Sequence, residues 1–286
     1  MKLINEFLKM ANKDLKSSKI LYEHHLYPQA MFYFSQSVEK ANKAFALSTG
    51  KYAEKDMLDI RHDSTTIYKN AIIETKRRYK KLQRDLEELP DFKNTEFVTN
   101  LDVQGKIKDC DNALREFAEI QNGKLDLVFI SKKEIVKRLE EIQTNEREIK
   151  EGISDIEKFE LTEQMWNEDK NEIIVQLSNP NNNELSRHIE EELNNSDLTI
   201  QQIEDLIKKM YFGFFLLVSF SHPLYHLAVM TLPHSVLTRY PQNELYPSKI
   251  YTRRLAIIRN LPDLFNVQSK ALKHLEEYCQ EYVFTE

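Results

Sequence analysis

One stretch constrains this chain more than any other: YPQAMFYFSQSVEKANKAFALSTG, residues 27–50. Pro28 stands where a helix tolerates a missing N–H, and Gly50 suits the residue after a helix C-cap. Between them Ala30, Phe34, Val38, Ala41 and Phe45 recur every three or four positions, which is the spacing of one helix face. Phe32, Tyr33 and Ala44 widen that face. A helix apolar over so much of its circumference has to be covered on more than one side, so the rest of the fold is expected to be built around it.

The remaining pattern is helical as well. Residues 1–25 predict an amphipathic first helix through Leu3, Phe7, Met10, Leu15, Ile20 and Leu21. Asp63 or Ser64 is placed to cap a third helix that starts at Thr65 and Thr66 and runs through the basic Arg77–Arg84 tract to a stop at Pro90. Further helical patterns cover 104–121 and 131–177. In the second, Ile135, Leu139, Ile142, Ile149, Ile153 and Ile156 keep steps of three, four or seven, as in a coiled-coil seam. NPNNN at 179–183 reads as a loop, followed by a short helix over 184–193 and a break at 194–197. From Leu198 apolar character returns: a deeply buried helix to Phe220, a shorter one from His222, whose start Pro223 marks, and a last helix over 251–282 bent at Pro262.

With 5 glycines, 8 prolines and 30% charged residues in 286, this composition suits long solvated helices and leaves no credible strand. The expectation is an all-α, up-and-down helical bundle formed by 1–75 and 198–286, interrupted by a charged helical insertion, a hairpin or coiled coil, over 76–197. The net charge of −6 excludes a generally basic nucleic-acid-coating protein but not a local basic surface. Cys110 and Cys279 have no metal spacing and read as reduced cysteines of a cytoplasmic protein. The N-terminus keeps charges every few residues and does not read as a signal peptide. Residues 210–238 carry no formal charge, a length that suffices for a membrane span. His222, Pro223, His226, Pro233 and His234 interrupt it, and no membrane association is expected.

No nucleotide-binding glycine motif occurs. His222 and His226, four apart, lack a third ligand at metalloprotease spacing and read as a structural pair, so neither a metal nor a cofactor is expected. Arg61-His62-Asp63, at the entry to the third helix, is more informative. An imidazole can move protons, Asp63 can fix its tautomer, and a guanidinium can hold phosphate in two bonds. Arg239 sits in a loop just after a buried helix and can also reach a pocket. Capping and surface ion pairing account for the same residues equally well.

The first two helices resemble those of HEPN domains on Ala11, Asp14, Leu15, Tyr27, Ala30, Phe32, Gln36, Glu39, Lys40, Lys43 and Ala44. IRHDSTTIYK resembles the segment opening that family's third helix, and TRYP at 238–241 an Arg-Tyr-Pro before its last. The resemblance covers roughly 1–75 and 198–282. It implies a bundle of four or five helices, often dimeric, that acts on or binds RNA or nucleotide in defence, antiviral or toxin–antitoxin systems. Many such domains are metal-independent ribonucleases carrying Arg-x(4–6)-His. No histidine here has an arginine at that distance. The nearest echo, Arg259-Asn260-Leu261-Pro262-Asp263-Leu264, has leucine where histidine is expected. The resemblance thus implies a homodimeric RNA- or nucleotide-binding module, with Lys40, Arg61, Asp63, Arg239, Arg259 and Asn260 as candidate contacts. Two alternatives stand beside it. One is a divergent ribonuclease using His62 with Arg61 or Arg239; the other is an assembly protein whose insertion binds a protein partner.

Overall fold

The computed structural model describes residues 2–60, 62–88, 96–123, 125–177, 187, 191, 198–241 and 245–283. Among them the chain is helix and connecting loop, with no β-strand. It divides into two compact units. One comprises Met1–Lys69, Ala118–Ser154 and Phe212–Glu286; the other comprises Asn70–Phe117 and Asp155–Tyr211.

The first unit is the bundle. Helices α1 (Lys2–Glu23) and α2 (Tyr27–Ser48) form a hairpin, turned by three residues of which His25 takes a left-handed φ of 61°. Half of α2 is buried, with Ala30, Met31, Phe34, Val38, Ala41 and Ala44 wholly enclosed. Gly50, at φ 68°, follows its Thr49 C-cap. Polar groups stitch the faces of α2 to its neighbours. Ser18 Oγ donates to the Ala30 carbonyl at 2.6 Å. Tyr68, on α4 (Thr65–Glu87), donates to Asn42 Oδ1 at 2.6 Å. Gln268 donates to Ser37 Oγ at 3.1 Å. The short α3 (Asp56–Ile60) lies in what the sequence presents as a polar connection; Met57 and Ile60 close it onto Ala46 and Ile67.

The C-terminal part supplies the other walls. The helix expected to end at Phe220 instead runs unbroken from Ile200 to Thr231, here numbered α9, with Pro223 inside it. An interior proline removes one backbone hydrogen bond and costs about 3 kcal/mol. Here Phe220, Leu224 and Leu227, all at 0% exposure on either side of it, bury enough apolar surface to offset that. By length and composition α9 is also the one described helix that could cross a membrane; in the structure its second half lies in the bundle core. Past the single turn α10 (His234–Leu237), the chain continues to α11 (Pro247–Ile250), α12 (Ala256–Arg259) and the long α13 (Leu261–Glu281). Pro262 therefore opens a new helix in its first turn, where no N–H is needed, and does not bend a continuous one. Leu261, Leu264, Phe265, Gln268, Ala271, Leu272, Leu275 and Cys279 form its buried face.

In the middle of the chain, α5 (Glu96–Asn100) and α6 (Val103–Asn122) follow α4. A single 3-10 turn, Asp126–Phe129, leads to α7 (Lys132–Glu157), and α8 (Glu163–Leu177) comes next. The pattern that predicts one helix over 131–177 is thus two helices, broken where Leu161 is buried and its N–H is taken by Glu204 Oε2 at 2.9 Å. Residues 118–154 group with the bundle because Ile130, Ile135 and Leu139 join its core. In the second unit, Leu86, Val98 and Val103 make a smaller core, and Lys76 pairs with Asp111. Asp102 Oδ1 caps α6 through the Gly105 N–H at 3.0 Å. A Cβ at 105 would stand 1.9 Å from that carboxylate, which is why glycine is there. The loop and short helix expected over 179–193, the break at 194–197 and the stop at Pro90 fall outside the described residues, apart from 187 and 191.

Candidate functional site

Along α2, Phe32, Gln36, Glu39 and Lys43 stand at i, i+4, i+7 and i+11, a single stripe down one side of the helix. Glu39 is its hub. Lys43 Nζ donates to Glu39 Oε1 at 2.8 Å, Gln36 Nε2 to Oε2 at 3.2 Å, and His62 Nδ1 to Oε2 at 2.9 Å. The Glu39 and Lys43 side chains are 9% and 12% exposed, whereas His62 is 48% exposed. A carboxylate can only accept, so His62 carries its proton on Nδ1, and in the neutral ring the Nε2 lone pair is available. That is the arrangement of an oriented general base.

The carboxylate beside His62 is therefore Glu39, not its chain neighbour Asp63. Asp63 is spent on architecture: Oδ1 accepts the Thr65 N–H at 3.1 Å, capping α4, and Oδ2 accepts from Gln121 Nε2 of α6 at 2.6 Å. Glu39 lies 23 residues from His62 in sequence, and only the packing of the turn before α4 against α2 brings them together. The signal available beforehand was its place on the polar edge of an otherwise apolar helix.

Arg61 lies outside the described residues. Lys40 is paired with Asp14, tying α2 to α1, both side chains 16% exposed. Arg239 donates from Nε to the Ser235 carbonyl at 3.2 Å and lays its guanidinium 5.1 Å from the Phe32 ring centroid and 5.4 Å from that of Tyr240. Phe32 and Glu39 are seven residues apart, about 10 Å of helix rise. His62 and Arg239 thus address the same stripe two turns apart rather than one another. Arg259 is exposed. Asn260 turns its amide back to the Ala256 carbonyl at 2.8 Å. Leu264, at the position where the nuclease motif would place histidine, is fully buried in the bundle core.

A second polar cluster was visible in the sequence only as its histidine pair. His222 and His226 bring their Nε2 atoms to 3.2 Å, and Arg138 of α7 reaches His226 Nδ1 at 3.4 Å. Burial first, then His222 and the Arg138 guanidinium, push His226 down to about 3, so it is neutral at physiological pH. A metal-bound Nε2 would need an acceptor at Nδ1; a guanidinium is the opposite. Among the described residues no three His, Cys, Asp or Glu side chains converge as a metal set. A cavity of about 1090 Å³ lies between α7, α9 and α13, with Leu139, Phe215 and Val267 on its walls and Asn260 among its lining. The Phe215 ring fits against α7 because residue 152 is glycine; a Cβ there would meet it at 2.4 Å.

A sequence model of the HEPN domain matches residues 4–159, just over half of the chain. The protein belongs to the HEPN family. No curated protein and no solved structure matches it. Membership places it, at family level, among nucleotide- and RNA-related proteins of defence type. The match contains the whole Glu39–His62 cluster. It also runs through 76–159, which the sequence resemblance had skipped, and it ends before Arg239, Arg259 and Leu264.

Proposed function

We propose that this HEPN protein is an RNA- or nucleotide-binding module of a defence or toxin–antitoxin type system, working without the Arg-x(4–6)-His nuclease pair. The observation that carries the proposal is Leu264. It is wholly enclosed in the core, so neither the residue nor its location offers a proton-transferring group to a phosphate. The match to the HEPN domain meanwhile takes in the whole of α2. In this proposal the protein is cytoplasmic and homodimeric and uses no metal or cofactor. A protein partner is proposed for the 76–197 region, where Met165, Ile173 and Val175 of α8 expose apolar side chains at 38%, 37% and 69%.

A second reading has one observation in its favour: the Glu39–His62 pair at 2.9 Å, with Nε2 of a half-exposed ring left over. That pair can take a proton from a ribose 2′-OH, with Arg61, the neighbour of His62 in the chain, as the cation proposed to stabilise the charged phosphorane. One experiment separates the two. The full chain is incubated with labelled tRNA and total RNA, with and without chelator, and scored for binding and for cut ends. The binding module predicts a shifted RNA of unchanged length, for wild type and His62→Ala alike. Chelator-resistant cutting that His62→Ala lowers by about 10²–10⁴, the usual worth of a general base, would establish the nuclease instead.

A further inference from the structure

Between Thr238 and Asn260 the sequence holds five cations, Arg239, Lys249, Arg253, Arg254 and Arg259, against one acid, Glu244, in a chain of net charge −6. All five are exposed, and among the described residues none forms an ion pair. The basic tract on α4 differs. Glu74 holds both Arg77 at 3.0 Å and Arg78 at 3.2 Å, and Asp111 holds Lys76.

Two exposed aromatic rings interleave with these cations: Tyr240 at 57% and Tyr246 at 47%. Lys249 Nζ lies 4.9 Å from the Tyr246 centroid, and Arg239 stands beside the Tyr240 ring. The segment is also built onto the bundle. Tyr251 is 2% exposed with its hydroxyl 2.8 Å from His234 Nδ1, and Ile257 and Ile258 are fully buried. These buried residues anchor the backbone that carries Lys249, Arg253, Arg254 and Arg259.

Unpaired cations beside exposed rings match a strand that offers phosphates and unstacked bases together. A duplex hides its base faces, and an acidic peptide has no use for the rings. We infer that the exposed residues Arg239, Tyr240, Tyr246, Lys249, Arg253, Arg254 and Arg259 are contacts for single-stranded RNA, with the cations on phosphates and Tyr240 and Tyr246 as stacking platforms for bases. This rests on the RNA-binding function proposed above and narrows it to a strand class and a surface outside the Glu39–His62 cluster.

The test uses the full chain and fluorescence anisotropy with a labelled oligo-U 15-mer and a 15-base-pair RNA duplex, over a salt series. Arg253→Ala/Arg254→Ala is expected to weaken oligo-U binding at least tenfold and to flatten its salt slope by roughly 1.4, about 0.7 for each lost phosphate contact. Tyr246→Ala is expected to weaken oligo-U roughly five- to a hundredfold and to leave the duplex unaffected. Arg77→Ala/Arg78→Ala should change neither. Lys249→Gln, a single exposed substitution, provides the same test if the double variant does not fold, as judged by its melting curve. Oligo-U binding that survives both the arginine and the tyrosine substitutions overturns this surface while leaving RNA binding standing. If the wild type binds neither RNA, both proposals fall. Tighter binding of the duplex, or displacement of oligo-U by a poly-glutamate peptide at equal charge, overturns the single-strand assignment.

Discussion

Phe34→Ala is expected to destabilise the protein by about 3–5 kcal/mol, the cost of an aromatic-sized cavity in a core that cannot collapse. Phe34 is at 0% exposure on α2, inside the main apolar core, with the Phe265 ring edge-on at 5.6 Å. The helix is covered on several sides, so no single neighbour can move inward without opening a gap behind itself. Urea unfolding at neutral pH provides the measurement, read as a shift in midpoint at unchanged slope. Phe214→Ala is the control. It removes the same ring from a site 57% exposed and should stay within about 0.5 kcal/mol. Equal costs at the two positions would contradict the central role of α2.

The second large effect is acid sensitivity centred on His234. This imidazole is fully buried, its Nδ1 is hydrogen-bonded to the Tyr251 hydroxyl at 2.8 Å, and burial pushes its pKa from 6.5 down to about 3. The Tyr251 hydroxyl is itself pushed up by burial and so remains a donor. The folded state therefore binds fewer protons here than the unfolded chain between roughly pH 6.5 and pH 3. Stability is complete above that window and falls as pH drops through it. A shift of this size corresponds to about 4–5 kcal/mol by pH 3, comparable to much of a domain's total stability. His226, shifted the same way, adds to the loss. Urea midpoints at pH 7.5, 5.5 and 4.5 should fall steadily for wild type. In His234→Gln, which keeps an acceptor for Tyr251 but cannot titrate, the decline should be visibly shallower. Parallel declines for the two proteins would place the acid sensitivity elsewhere.

The helical pattern was legible wherever one face alone had to be buried. In α1, apolar residues recur with the period of the helix because water covers the remaining face, and the bounds of both α1 and α2 follow from the chain's punctuation. Pro223 and the 131–177 stretch were misleading for a common reason. Local propensity places a break at Pro223, where burial of Phe220 and Leu224 carries the helix through. It places none at 158–162, where the chain turns because Leu161 is buried and Glu204 takes its N–H. Such outcomes depend on residues that become neighbours only after folding.

The site divides along the same line. The family resemblance picked out Gln36, Glu39, Lys40 and Lys43 on a buried helix, and chain order singled out His62 and Asp63 at a helix entry. Assigning partners required three dimensions: Glu39 to His62, Asp63 to Gln121, Arg138 to His226. These pairs are 23, 58 and 88 residues apart, and no local rule links side chains over such separations. By itself, then, the sequence determined the all-α bundle, the central place of the 27–50 helix and the family. The first two follow from patterns that repeat within one or two helical turns, and the family from the resemblance carried by the first two helices. Only the tertiary structure decided which polar residues serve the architecture, as Lys40 and Asp63 do, and which stay oriented yet accessible, as His62 does. Burial and long-range pairing are properties of the packed chain, and they determine which side chains keep an open hydrogen-bonding atom.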